Sequence, residues 1–278
     1  MGESARKLKI KAKTMAIQNN VTVQEVIQSY MFERILVRIC SSPYHDNFIL
    51  KGGVLLSSIS GIQSRTTMDM DTMIEGLDFE SECLKKVLEE ILGLDVDDGI
   101  RFEIIKIEDI RSDDNYGGFR FMINGILDNI KNHLSIDVST GDIITPNGVF
   151  YRYKMLFNDN TILIKSYNIE TILAEKFQTV LESNGFKGRM KDYYDIWYFV
   201  KRSLDDIDFD ILNKAINNTF TQRDCLSDLI RVNEILSLIK DSSILRKRWN
   251  EYSSKHSYSK DISFENIMDA LYEFSNKY

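Results

Sequence analysis

Residues 48–75 read FILKGGVLLSSISGIQSRTTMDMDTMIE, and the remainder of the chain is best understood outward from this segment. A short apolar lead-in (Phe48, Ile49, Leu50) meets a Gly52-Gly53 turn, and a helical apolar run from Val54 to Ile59 follows. Glycines at a helix start let an anion approach the backbone, where exposed N–H groups and the helix dipole favour negative charge. A polar loop with Arg65, Thr66 and Thr67 then leads into Asp69-Met70-Asp71, read as a strand continuing to Ile74. Alternation along a strand puts Asp69 and Asp71 on one face and Met70 on the other. Two strand rises separate the carboxylates by roughly 6.5 Å at Cα, a spacing suited to holding hard cations through oxygen. An anion site followed by a metal site outlines a nucleotide-handling centre, with Lys51, Gly52, Gly53, Arg65 and Thr67 as candidate nucleotide contacts.

Downstream, the pattern from Ile100 to Ile164 is one of short alternating runs. Strands are expected near Arg101–Ile107, Gly118–Leu127, Leu134–Ser139 and Thr161–Ile164, with hairpin corners at Gly117-Gly118 and Leu127-Asp128-Asn129. In the third of these, Leu134, Ile136 and Val138 form one face, and Ser135, Asp137 and Ser139 the other. Asp137 is thus a lone acid on the polar side of a core strand. Beside the Asp69/Asp71 strand it would supply the third carboxylate of a two-metal centre. Upstream, Val23–Cys40 is apolar at near-helical period, with Thr22 as its N-cap and Pro43 beyond its end. Phe79–Leu92 is a second amphipathic helix, entered through an acidic first turn.

Near Lys165–Asn168 the period changes from alternating to 3.6 residues, dividing a domain over 1–165 from a helical one over 166–278. Helices are expected over Ile169–Leu181, Asp192–Val200, Phe209–Ile216, Leu226–Ile239 and Phe264–Phe274. Lys176 lies among Ile172, Leu173, Phe177 and Val180, either snorkelling from a core edge or serving phosphates as a point charge. Asp192 and Asp195 share a face of the next helix. Asp192 falls in the first turn, favoured there by the dipole, and is expected to be exposed. Asp195 is expected to be buried against Lys176 or Arg189.

With 278 residues, the chain can bury about three-quarters of its unfolded surface. Apolar residues make up 43% and charged ones 28%, ordinary globular composition. No apolar run approaches the ~18 residues a membrane span needs, and no secretory signal follows the basic N-terminus. The three cysteines, Cys40, Cys83 and Cys225, are too scattered for a disulfide framework or a zinc cluster, and the expected location is cytoplasmic. A net charge of −7 excludes global attraction to nucleic acid, so an RNA partner would have to meet local patches. Arg6, Lys7, Lys9, Lys11 and Lys13 form one; Lys187, Arg189 and Lys191, then Arg246, Lys247 and Arg248, form others. Read without a ligand, the first is the solvated end of a frayed N-terminal helix.

The run LKGG–helix–RTTMDMDTMI, then SIDVSTGDIITP, AEKFQTVL and GRMKDYYDI, resembles the AbiEii/AbiGii toxin family across roughly residues 26–200. That resemblance implies an α+β protein with a DNA polymerase β-like nucleotidyltransferase fold, a mixed sheet and a helical C-terminal half contributing to the active-site cleft. It implies transfer of a nucleotide from an NTP with Mg²⁺, growth inhibition in abortive infection or toxin–antitoxin systems, a cognate antitoxin encoded nearby, and tRNA as acceptor. By the same resemblance Asp69, Asp71 and Asp137 are the metal-binding acids, Lys176 is the family lysine, and Asp192 and Asp195 are the acids that follow. The Gly-Ser signature of the wider superfamily stands here as Gly52-Gly53, so no hydroxyl is present at that point. Catalysis would then be positioning plus charge stabilisation, with no demand on the three histidines, His45, His133 and His256. Two other readings share these residues. One is a small-molecule (antibiotic) nucleotidyltransferase, which needs an acidic pocket; the other is a silent NTP-binding regulatory module, against which the three acids argue.

Overall fold

The computed structural model describes residues 2–110, 117–186 and 188–277; Lys187 of the second basic patch lies outside them. These residues form two compact units, one of residues 1–142 with 149–166 and one of 143–148 with 167–278.

In the first unit, helices α1 (Glu3–Asn19) and α2 (Val23–Ser41) precede strand β1 (Phe48–Lys51), helix α3 (Gly52–Ser60) and strand β2 (Asp69–Ile74). Helix α4 (Ser81–Leu92) follows, then β3 (Arg101–Ile110), β4 (Gly118–Leu127), β5 (Ile130–Ser139), β6 (Val149–Lys154) and β7 (Thr161–Ser166). Among the described residues the strands make one mixed sheet in the order β3-β4-β5-β2-β1-β7-β6. β2 lies parallel to β5 and antiparallel to β1, while β4 is antiparallel to both β3 and β5. The apolar lead-in Phe48–Leu50 is therefore a strand, fully buried. A four-residue run buried on both sides carries no alternation by which to recognise it. β6 also gave no sequence signal, because Phe150 is exposed at the sheet edge and the aromatic residues do not alternate cleanly.

Helix α2 covers the sheet with Val26, Ile27, Met31, Phe32, Ile35, Leu36 and Ile39, all buried. Its start is fixed by the expected cap. The Thr22 hydroxyl accepts from the Glu25 N–H, and the Glu25 carboxylate accepts from the Thr22 N–H at 2.8 Å. The other Glu25 oxygen accepts from the Thr66 hydroxyl at 2.8 Å, tying the helix start to the loop ahead of β2. Helix α1 is anchored, not frayed. Ala5, Leu8, Ala12 and Ala16 are buried, and the Ala5 N–H donates to the Asp128 carboxylate at the β4–β5 turn.

In the second unit, α5 (Ile169–Glu182), α6 (Met190–Arg202), α7 (Phe209–Gln222), α8 (Leu226–Ile230), α9 (Val232–Asp241), α10 (Ser243–Lys255) and α11 (Phe264–Ser275) surround a core built on Phe177, Phe199, Phe220, Trp249 and Phe274. The single helix expected over Leu226–Ile239 is two, with the break at Arg231 and Ile230 turned to solvent. Helix α10 escaped the periodicity because only Leu245 and Trp249, one turn apart, enter the core. Segment 143–148 joins this unit through Thr145. Its N–H donates to Thr171 Oγ1 (3.0 Å), its carbonyl accepts from Asn168 Nδ2 (2.8 Å), and its hydroxyl accepts from Asn218 Nδ2 (2.9 Å). No helix among the described residues is long and apolar enough to cross a membrane.

Candidate active site

The centre of the first unit is the junction between β1 and α3. Gly52 holds φ +66°, a left-handed conformation that costs glycine little, and so reverses the chain directly from strand into helix. A Cβ at Gly52 would overlap the Asp71 carboxylate, and one at Gly53 would stand 2.5 Å from Thr67 Oγ1. The two glycines therefore admit Asp71 and Thr67 against the backbone. The Gly53 N–H points at Asp71 Oδ2 over 3.4 Å, so this carboxylate sits where the helix start favours an anion. Thr67 Oγ1 donates to the Asp69 carbonyl at 3.2 Å, bracing the loop as it enters β2.

Along β2, Asp69 and Asp71 are half-buried on one face and Met70 is fully buried on the other. The parallel register sets Asp69 opposite Ser135 and Asp71 opposite Asp137. All three candidate carboxylates thus share one side of adjoining strands. Asp137 is held by a residue that sequence reasoning missed. Arg120, its cross-strand partner on β4, donates from Nε to Oδ1 and from Nη2 to Oδ2, both at 2.7 Å. The hydrogen bonds to Asp137, with the charges of Asp137, Asp69 and Asp71, raise the Arg120 pKa further despite partial burial. Alternation places Arg120 on the polar face of β4, but the pairing of β4 with β5 is tertiary, and no spacing in the sequence reveals it.

The other candidate contacts are engaged within the unit. The Lys51 ammonium donates to the Asp142 carboxylate, which also accepts from the Ser139 hydroxyl at 3.2 Å; Lys51 is buried and Asp142 half-buried. Arg65 is buried, its guanidinium donating to the Thr66 carbonyl and its own carbonyl accepting from Ser57 Oγ at 2.6 Å. Behind the site an amide chain runs from the exposed Gln24 through the buried Asn132 to the buried Gln28. Gln28 Nε2 donates to the Met68 carbonyl at 3.1 Å, fixing the residue before Asp69.

Asp69 and Asp71 present two carboxylates on one face of β2, a donor type suited to Mg²⁺. Each oxygen of Asp137, the third candidate, accepts one hydrogen bond from Arg120. Among the described residues no three acidic, histidine or cysteine side chains stand close enough to share one ion.

Lys176, Asp192 and Asp195 lie in the second unit and form a cluster of their own. Lys176 on α5 bridges both acids of α6, at 2.6 Å to Asp192 and 2.8 Å to Asp195. Both acids are buried, Asp192 as well as Asp195. The expectation of an exposed Asp192 is corrected here: packing of α5 on α6 covers the first turn, and only the outer Asp192 oxygen meets the exposed Arg189, at 3.7 Å.

The family described as nucleotidyl transferase AbiEii toxin, type IV toxin–antitoxin system, matches residues 34–270. The chain belongs to that family. The match takes in the Gly52-Gly53 turn, all three strand carboxylates and the Lys176 cluster, and it makes the chain a nucleotidyltransferase-family enzyme. No curated protein matches the chain. Among solved structures, a candidate nucleotidyltransferase from H. pylori is 15% identical with a TM-score of 0.48, over 92% of this chain and 95% of that one. JHP933 from Helicobacter pylori is 15% identical with a TM-score of 0.45, over 86% of this chain and 99% of its own. An antigenic nucleotidyltransferase-like protein from Paracoccidioides brasiliensis is 16% identical with a TM-score of 0.40, over 78% and 92%.

Proposed function

We propose that this chain transfers a nucleoside monophosphate from an NTP to an acceptor hydroxyl, with a tRNA 3′ end as acceptor, and that a cognate antitoxin relieves the resulting growth inhibition. The observation that carries the reading is the pair Asp69 and Asp71 on one face of β2, set against the glycine turn that starts α3. In the reaction the acceptor oxygen bonds to the α-phosphorus, its hydroxyl proton passes to water, the bond from the α-phosphorus to the α–β bridging oxygen breaks, and pyrophosphate departs with the negative charge. Mg²⁺, when held by Asp69 and Asp71, supplies charge stabilisation to the phosphoryl oxygens. The Gly52-Gly53 backbone offers N–H donors to the departing phosphates, and the missing superfamily hydroxyl leaves that task to the backbone alone. Resemblance to the family motif supports a part for Lys176, Asp192 and Asp195 as well.

Incubation of the purified protein with each labelled NTP, Mg²⁺ and total RNA, resolved on a gel, tests this directly. A labelled tRNA band is expected with one NTP, absent for Asp69→Asn and Asp71→Asn, and absent for a folded Lys176→Arg. Either aspartate variant is isosteric, so loss of transfer should come with an unchanged circular dichroism spectrum. Full transfer by a well-folded Asp69→Asn protein would overturn the enzymatic centre.

A further inference from the structure

Helix α10 and the turn after it carry a cluster of rings and cations that lies wholly within the second unit. Along α10, Leu245, Trp249, Tyr252 and His256 recur at helical spacing, and the stripe runs from core to surface. Leu245 and Trp249 are buried, whereas Tyr252 and His256 are half-buried. Tyr258, in the turn Ser257–Ser259, is half-buried as well. Its ring stacks on His256 at 5.2 Å and 20°, and lies 4.8 Å from the buried Tyr194 of α6. Tyr252 stands 4.5 Å from His256, and its hydroxyl shares a 3.0 Å hydrogen bond with that of Tyr258. Beneath them Trp249 Nε1 donates to the Ile262 carbonyl at 2.8 Å, and the buried Ser259 pins the turn. Core filling accounts for Tyr194 and Trp249, but not for three rings held part-way out of the core. The charge beside them is equally uneven. Residues 243–261 hold five cations against two acids, Glu251 and Asp261, in a chain whose net charge is −7. Arg246 is engaged by Glu265. Arg248 and Lys255, four residues before Tyr252 and three after it, are exposed on its side of α10, and Lys260 is exposed where the turn ends.

We infer that this platform holds the unpaired end of an RNA strand, with bases against Tyr252, His256 and Tyr258 and phosphates met by Arg248, Lys255 and Lys260. Aromatic faces take any base by stacking, and a duplex hides its base faces, so the surface selects unpaired strands. The local excess of positive charge supplies the attraction for a polyanion that the whole chain lacks. The occupant is the acceptor named under the proposed function, and the inference rests on that reading for its RNA.

The test uses the full chain, without NTP or metal, and a short mixed-sequence RNA carrying 2-aminopurine near its 3′ end. Stacking on the rings is expected to quench the fluorescence of the probe. The single strand should bind about tenfold more tightly than the same sequence in a blunt duplex. Tyr252→Leu combined with His256→Leu should abolish the quenching and weaken binding about tenfold, with the salt slope unchanged. Joint reversal of Arg248, Lys255 and Lys260 to Glu changes exposed positions only, and it serves if the leucine variant fails to fold. That variant should lower the salt slope by about 0.7 per lost contact. Equal binding of strand and duplex overturns the inference, as does a folded leucine variant that quenches like wild type or a charge variant with an unchanged slope. Labelling of tRNA with NTP and Mg²⁺ is read separately on the same proteins. A folded leucine variant that binds and labels tRNA like wild type sinks this inference and leaves the proposed function standing. Ring-dependent RNA binding by a chain that never labels RNA does the reverse.

Discussion

The Lys176 cluster shows how much one residue can carry. Lys176 stands between two acids that are each buried, and its own side chain is only 11% exposed. Replacing it with methionine keeps most of the stem volume but leaves two carboxylates facing each other in the core. Breaking a buried pair by removing one partner costs about 3–5 kcal/mol, since the remaining charge loses its nearest compensation. Lys176→Met should therefore lower the melting temperature sharply, and adding Asp192→Asn and Asp195→Asn should restore part of the loss. A cluster that matters to function alone would give a Lys176→Met protein melting like wild type. Asp192→Asn and Asp195→Asn should each destabilise, in contrast to what helix position predicts. Sequence places an acid in a first turn; only the neighbouring helix decides whether that turn sees water.

At the scale of elements, the β1–α3 turn and helix α1 make separate predictions. Gly52→Ala meets two obstacles, a left-handed φ of +66° and overlap with the Asp71 carboxylate. The backbone term alone is about 1–2 kcal/mol. The displaced carboxylate adds a loss of transfer activity that backbone strain elsewhere would not cause. Gly52→Ala should thus lose activity out of proportion to its melting temperature, measured on the same preparation; a variant that melts lower yet transfers normally would detach the turn from the site. In α1, Lys7 pairs with Glu3 at 2.6 Å and Lys11 lies over the Phe157 ring at 5.6 Å. Arg6, Lys9 and Lys13 are exposed at i, i+3 and i+7, one stripe of the helix. If that stripe meets the RNA acceptor, reversing these three charges should weaken RNA binding and reduce its salt slope by about 0.7–0.9 per lost contact. An unchanged slope would leave the stripe as solvated surface. The pattern of five cations was plain in the sequence, and the buried Ala5, Leu8 and Ala12 orient the helix so that all five are exposed.

For the whole molecule, two acids of the first unit, the buried Glu33 and the half-buried Asp98, give stability opposite dependences on pH. Burial raises the Glu33 pKa, although the Leu156 N–H it accepts and nearby Arg34 pull the other way. The folded chain therefore holds that proton more tightly than the unfolded one, and stability falls as pH rises from the unfolded value through the raised folded value. Asp98 is the reverse. Burial works to raise its pKa, but hydrogen bonds from Arg38, the Ile100 N–H and Arg34 together hold it below the usual carboxylate range. Its contribution is present above the unfolded value and is lost as pH falls through the lowered folded one. Glu33→Gln should melt at or above wild type near about pH 8, with the gap closing toward acid; Asp98→Asn should melt lower at about pH 8, with its deficit shrinking in acid. Thermal melts across pH check both, and a gap for Glu33→Gln that widens toward acid would reverse the assignment. Neither behaviour follows from the sequence, where Glu33 and Asp98 look like any surface acid. What the sequence determined by itself was local: the strand that aligns Asp69 with Asp71, the glycines that start α3, the Thr22 cap, and the change of period after Ile164. Each depends on residues a few positions apart, for which backbone sterics and alternation suffice. The tertiary structure alone decided that Asp137 answers to Arg120, that Lys51 answers to Asp142, and that Asp192 is buried. Those outcomes turn on which strand or helix lies alongside, and charge interactions over a few ångströms in a desolvated interior are set by that neighbour and not by sequence distance.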